Sequence, residues 1–161
     1  MDATILKSEK ISVRPAAQSD MPAVLSLVKE LALFEKHPEA VTISVDDLVR
    51  DGFGEKPIFK AFVAEVKNEV VGIGFTYTGY STWKGKLIYL EDLIVREAHR
   101  GKGIGKLLLD TVIEYAAHEN ARVLKWQVLR WNKDAIRFYN RYNNMIFDDE
   151  WVDCKLHKFE V

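Results

Sequence analysis

Residues 100–106, Arg100-Gly101-Lys102-Gly103-Ile104-Gly105-Lys106, place three glycines and three cations between a strand-like run and a helix-like one. Glycine lets a backbone turn tightly and approach a ligand with no Cβ in the way. The first turn of a following helix presents unpaired N–H groups and a partial positive charge. Such a turn can cradle a pyrophosphate, with Arg100, Lys102 and Lys106 adding positive charge. On the glycines alone, a tight strand-to-helix turn with solvated basic residues explains the segment equally well. Two nucleotide-binding patterns fail on spacing. The dinucleotide fingerprint G-x-G-x-x-G needs its third glycine one residue beyond Gly105. The phosphate loop G-x-x-x-x-G-K-[ST] needs glycine and a hydroxyl where this chain has Arg100 and Leu107. Metal chemistry finds no support either. His37, His99, His118 and His157 are scattered without H-x-x-x-H spacing, and Cys154 is the single cysteine.

What the turn does match is R-x-x-G-x-G, and it thereby resembles the coenzyme A loop of the GNAT N-acetyltransferase superfamily. The strand before it, Tyr89-Leu90-Glu91-Asp92-Leu93-Ile94-Val95, is similar to the family's, and Asn132-Lys133-Asp134-Ala135-Ile136-Arg137-Phe138-Tyr139 resembles its N-x-x-A-x-x-F-Y helix. Further segments resemble the diamine acetyltransferase branch, which holds spermidine/spermine and thialysine acetyltransferases. They are Phe34-Glu35-Lys36, Asp51-Gly52-Phe53-Gly54-Glu55, Phe62-Val63-Ala64-Glu65 and Ser81-Thr82-Trp83-Lys84-Gly85-Lys86.

The resemblance implies transfer of an acetyl group from acetyl-CoA directly to a small cationic primary amine, a polyamine or a lysine- or thialysine-like molecule. A lysine-like ammonium with pKa about 10.4 is only about 0.04 per cent neutral at pH 7, so the site must take a proton before the nitrogen can attack. By resemblance Glu91 accepts that proton or holds the amine, and Glu35 adds a second carboxylate for the amine. A place near the middle of a buried strand suits a Glu91 tuned by its surroundings, whereas Asp92 is read as mainly structural. Backbone N–H groups of Leu93, Ile94 and Val95 would bind the acetyl and pantetheine portions. The pyrophosphate falls to Arg100, Gly101, Lys102, Gly103, Ile104, Gly105 and Lys106. Asn132, Lys133 and Asp134 would meet the coenzyme from the later helix, and Tyr139 would protonate the leaving thiolate. Helical spacing puts Asn132, Ala135 and Tyr139 near one face. The polyamine enzymes carry aspartate where this chain has Ser81, which favours a lysine-like amine. Asn143 stands where the family has a helix-ending glycine, and Asn tolerates the left-handed conformation needed there. Two other functions fit the same scaffold: a non-catalytic acyl-CoA-binding module, and acetylation of a protein lysine or N-terminus.

The elements that must position these residues can be read from periodicity. Ile11–Arg14 alternates as a strand closed by Pro15, and Val24, Leu25, Val28, Leu31 and Ala32 recur at helical spacing. Ser44 with Asp47 three residues on predicts a capped short helix ended near Gly52. Runs 59–66 and 70–78 around Lys67-Asn68-Glu69 predict a hairpin, and 87–95 a further strand. Leu107, Leu108, Val112, Ile113 and Ala116 mark the helix after the glycines. Then follow a strand over 123–129, a helix over 132–141 and one or two closing strands from Met145 onward. The expectation is an α/β (α+β) GNAT fold: a central, mostly antiparallel mixed sheet of six to seven strands flanked by about four helices, in one domain over 1–161.

Composition bounds the rest. A formal net charge of -1 gives no electrostatic footprint for nucleic acid. The first ten residues lack an apolar run of signal-peptide length, and no later run is long enough to span a bilayer. The expectation is therefore a cytoplasmic enzyme with no metal, no membrane and no nucleic-acid partner. Relatives in the branch suggest a homodimer.

Overall fold

The computed structural model describes residues 10–157, which divide after Gln127 into two compact units. The first is a five-stranded sheet in sequential order with three α-helices. β1 (Ile11–Pro15), β2 (Lys60–Val66), β3 (Glu69–Ser81) and β4 (Gly85–Val95) pair antiparallel, each with the next. β5 (Val123–Lys125) runs parallel to β4, which requires the crossover supplied by α3 (Ile104–His118). α1 (Met21–Phe34) and α2 (Val45–Phe53) connect β1 to β2.

Local sequence sets each boundary. Lys67 and Asn68 both adopt positive φ, the mirror-image turn that matches strand twist and closes the β2–β3 hairpin in two residues. Ser44 Oγ accepts from the Asp47 N–H at 3.1 Å, and Asp47 accepts in return from Ser44 N–H at 2.8 Å, the reciprocal cap that starts α2. The helix runs through Gly52 to Phe53, one residue past the glycine expected to stop it. Asp20 precedes α1 without capping it. Its carboxylate instead accepts from Arg14 at 2.7 and 3.0 Å and from Ala17 N–H at 2.7 Å. Arg14 also reaches Glu65 at 2.7 Å, so one guanidinium ties β1, the α1 entrance and β2 together.

The two sheet faces carry different helices. Met21, Val24, Leu27 and Leu48 of α1 and α2 pack with Val63, Ile73 and Ile94 of the sheet. Each such side chain taken from water stabilises the fold by about 1.5–3 kcal/mol. On the opposite face Gly72 and Gly74 back onto Leu108 and Val112 of α3.

The second unit contains α4 (Lys133–Tyr139). The closing strands expected from Met145 onward do not form among the described residues, so the sheet has five strands, not six or seven. Ile146, Trp151, Val152 and Leu156 are exposed there. Asp148-Asp149-Glu150 is a poor strand sequence, and Asp148 accepts from Glu150 N–H at 3.0 Å, turning the chain locally. β5 is also shorter than the expected 123–129, because its ladder to β4 ends at Tyr89 opposite Lys125. Among the described residues no helix is long and apolar enough to cross a membrane.

Candidate active site

Strand β4 loses its regular register in the middle. Thr76 lies opposite Leu90 and Phe75 opposite Asp92, so Glu91 is an extra residue with no partner on β3. A one-residue bulge reverses the face taken by every side chain beyond it. Leu90 therefore shares the α3 face with Thr76. Asp92 turns to the α1 face beside Phe75, and Leu93 returns to the α3 face against Gly74.

The burial of the two carboxylates differs from the expectation of a Glu91 set in a buried strand. Glu91 is exposed on the bulge, not buried in the strand. Asp92 is the half-buried one, and its pKa is pushed up to about 7, first by burial and then by the negative charges of Glu91 and Glu35. Glu35 follows the last turn of α1 and is also half-buried. Burial raises its pKa, and His37 pulls it partly back. Tyr77 stacks on Tyr89 with ring centroids 5.1 Å apart, and its hydroxyl pKa is raised by burial and by Glu91. Three carboxylates and two stacked phenols thus converge near the bulge, surroundings suited to a cation with an aliphatic body. Asp92 escaped the sequence reading because adjacent strand residues face opposite sides, and only the bulge decides which side is which.

The ladder between β4 and β5 covers Leu87 to Tyr89 alone. Beyond it the β5-side edge of β4, running through Leu93, Ile94 and Val95, has no ladder partner among the described residues. The chain then passes a short 3-10 turn (Glu97–His99) into the glycine segment. Gly101 and Gly103 have φ of 75° and 81°. A Cβ at either would meet nothing within 4 Å, so glycine is needed there for its left-handed backbone and not for space. Gly103 is the residue immediately before α3, whose first N–H groups have no helical acceptor. Ile104 is buried and anchors the helix start, and Gly105 backs onto Val95. Arg100 donates from Nε to the Val95 carbonyl at 2.8 Å and lies 5.6 Å from the centre of the Phe34 ring. It thereby binds the loop to the end of β4. Lys106 pairs with Asp110 one helical turn on. Lys102 is exposed. The open turn, the unpaired amides and the cations fit a diphosphate.

In the second unit, Asn132 Oδ1 accepts from Ala135 N–H at 3.1 Å and caps α4. Lys133 is exposed, and Asp134 accepts from Arg137 at 3.4 Å. Tyr139 is the buried residue of α4, its ring 5.3 Å from that of Phe138. The left-handed residue after α4 is Asn144 and not Asn143. Asp149 is bonded to Arg130 at 2.8 Å. Of the predicted residues, Glu35, Glu91, Leu93–Val95 and Arg100–Lys106 belong to the first unit, and Asn132, Lys133, Asp134 and Tyr139 to the second. Among the described residues no group of three or more His, Cys, Asp or Glu could hold a metal.

An open-edged β4, a bulge carrying carboxylates and a glycine turn opening a helix are the parts of an acetyltransferase, and the known proteins agree. The Acetyltransferase (GNAT) family pattern matches residues 25–144, and the chain belongs to that family. It is 41% identical over 137 residues to a thialysine N-epsilon-acetyltransferase of Bos taurus, spanning 80% of this chain and 81% of that protein. It is 36% identical over 134 residues to the human spermidine/spermine N(1)-acetyltransferase-like protein 1, spanning 79% of this chain but 19% of that longer protein. Its fold is similar to that of an aminoglycoside N-acetyltransferase solved in complex with CoA. The TM-score is 0.75 at 14% identity, covering 94% of this chain and 98% of the other. The chain is a GNAT-family N-acetyltransferase.

Proposed function

We propose that this enzyme uses acetyl-CoA to acetylate a small cationic primary amine by direct transfer, and that the acceptor is lysine-like. One observation carries the reading: the half-buried Asp92 carboxyl, its pKa pushed up to about 7 by burial and by the charges of Glu91 and Glu35, lies at the bulge of the strand that leads to the glycine turn. The similarity to thialysine and spermidine/spermine acetyltransferases points to the same class of acceptor. Single-domain organisation, a homodimer and residence in the cytoplasm belong to the same proposal.

In this reading the amine arrives as an ammonium, drawn by Glu35 and Glu91. Asp92 accepts its proton, directly or through one water. A base with a pKa close to the working pH is half available and still strong enough to compete for the proton. The ammonium itself lowers the Asp92 pKa once bound, so the proton acceptor is more fully ionised in the complex than in the free enzyme. The coenzyme supplies the acetyl group as an activated thioester. Amides of Gly101, Gly103, Ile104 and Gly105 hold its diphosphate with Arg100, Lys102 and Lys106, while Asn132, Lys133 and Asp134 bind it from α4. On the β4 edge, amides of Leu93–Val95 orient the acetyl carbonyl. One fixed donor to a developing oxyanion is worth about 3 kcal/mol. Tyr139 gives a proton to the departing sulfur, since a phenol of pKa about 10 is protonated at pH 7.

Acceptor choice turns on the β3–β4 turn. Ser81 Oγ accepts from the N–H groups of Trp83 and Lys84 at 3.2 and 3.1 Å, so this position holds the turn and offers no carboxylate to a distant second ammonium. Lysine-like amines are therefore expected to outperform spermidine. Thiol release measured with thialysine, lysine, spermidine and a peptide amine tests this. Preference for thialysine or lysine supports the reading, preference for the peptide assigns a protein substrate, and coenzyme binding without turnover assigns a non-catalytic role. Tyr139→Phe is expected to lower kcat about tenfold or more while coenzyme affinity changes little. An unchanged kcat removes Tyr139 from the acid step.

A further inference from the structure

The segment Asp51-Gly52-Phe53-Gly54-Glu55 takes no part in the steps above, yet it sits behind the base. Gly54 N–H donates to the Arg50 carbonyl at 3.1 Å, and Ile58 N–H to the Asp51 carbonyl at 2.8 Å, closing the chain into a tight loop after α2. That loop returns the next residue, Phe59, across Gly52. A Cβ at Gly52 would lie 2.2 Å from Phe59 Cζ, 2.6 Å from Cε2 and 2.9 Å from Cε1, so the ring occupies the space a side chain would take. On its other side the ring meets Phe75, with centroids 4.3 Å apart. Phe75 is the cross-strand neighbour of Asp92. Side chains so paired lie about 4.5–5.5 Å apart at Cβ. An aromatic pair, Phe59 and Phe75, thus links α2 to the strand position opposite Asp92.

We propose that the Phe59 ring, seated on Gly52 and pressed against Phe75, is a positioning device that keeps water from the Asp92 carboxyl and so maintains it as proton acceptor for the amine. This rests on the reading of Asp92 as the base. The charged groups facing Asp92 are Glu91 from β4 and Glu35 from the end of α1. From β3 it meets Phe75, with the Tyr77 phenol two residues on. From α2, Arg50 is bonded to Asp47 and Asp51 at 2.9 Å each and is committed to them. No cation in this set stabilises the carboxylate, so burial is the first cause of its raised proton affinity, with Glu91 and Glu35 adding to it, and the proposal assigns part of that cover to the aromatic pair.

The proposal is tested by following the Asp92 carboxyl through a pH titration by NMR, together with the pH profile of kcat/KM, in four variants. Phe59→Ala opens a path for water, and Gly52→Ala drives the ring off its seat without removing it. Both are expected to shift the carboxyl midpoint and the acid limb at least about one pH unit to the acid side. Phe59→Leu keeps an apolar cover and is expected to hold the midpoint near that of the parent enzyme. Leu48→Ala, which deletes a core side chain of the same helix, is expected to lower Tm without moving the midpoint. Should Phe59→Ala fail to fold, Gly52→Ala answers alone, since alanine suits a helix better than glycine. A midpoint unmoved in the folded Phe59 or Gly52 variant overturns the proposal while leaving Asp92 as base. A separate result, full activity and an unchanged acid limb in Asp92→Asn, would remove the base and leave the link between ring and carboxyl still measurable.

Discussion

Asp92→Asn keeps the shape of the side chain but removes its proton affinity, and its consequences have a definite sign. In the folded chain this carboxyl holds its proton up to about pH 7, far above the ordinary carboxylate range. Folding therefore takes up a proton between roughly pH 4 and 7, and the stability that this contributes is complete below the window and lost as pH rises through it. Asp92→Asn is expected to flatten that decline, with Tm at pH 8 at or above that of the parent chain. Activity moves the other way. Loss of a positioned base is expected to lower kcat/KM about 10²- to 10⁴-fold and abolish the limb near pH 7. A retained limb contradicts the assignment. This residue also marks where sequence reading stopped. Glu91 and Asp92 are adjacent carboxylates on one strand, and periodicity assigns them opposite faces without saying which is inside. The bulge decides it, and a bulge leaves no signature in side-chain types here. Gly101 and Gly103 were legible for the opposite reason, because a left-handed backbone demands a particular residue type.

At the scale of elements, junctions matter more than the elements they join. Arg14 links β1, the entrance to α1 and β2 through Asp20 and Glu65. The Arg14 hydrogen bonds hold the Asp20 carboxyl below its ordinary range, so this cluster stabilises at neutral pH and fails as pH falls through that lowered value. Arg14→Met leaves two carboxylates without their cation and is expected to cost about 2–3 kcal/mol, read as a lower denaturant midpoint at pH 7. The loss should shrink in acid, where the protonated partners no longer need the cation, and a pH-independent loss would point to packing alone. Helices and hairpins were legible wherever a local rule fixed both ends: the Ser44–Asp47 cap, the two-residue turn at Lys67-Asn68, the apolar stripe of α3. Strand ends set by a neighbour were not. β5 stops at Lys125 because β4 leaves its ladder, although the run 123–129 is strand-like throughout.

Across the whole molecule, the sheet brings together groups distant in sequence: Glu35 after α1, Glu91 and Asp92 at the bulge, and the glycine turn after β4. In the proposed function, amine chemistry falls at the bulge and diphosphate binding where β4 hands over to α3. The motif-bearing half of the chain was readable because its backbone demands are unusual. The tail after Met145 was not, since its exposed apolar residues resemble strand residues but find no ladder there. Acetyl-CoA labelled in its acetyl group, incubated with the purified protein and thialysine, tests the central claim most directly by mass spectrometry of the amine. The account predicts label on the amine nitrogen, one free thiol released for each acetyl transferred, and near-complete loss of both in Asp92→Asn. Coenzyme left intact and thialysine left unlabelled, with folded protein at neutral pH, would contradict it.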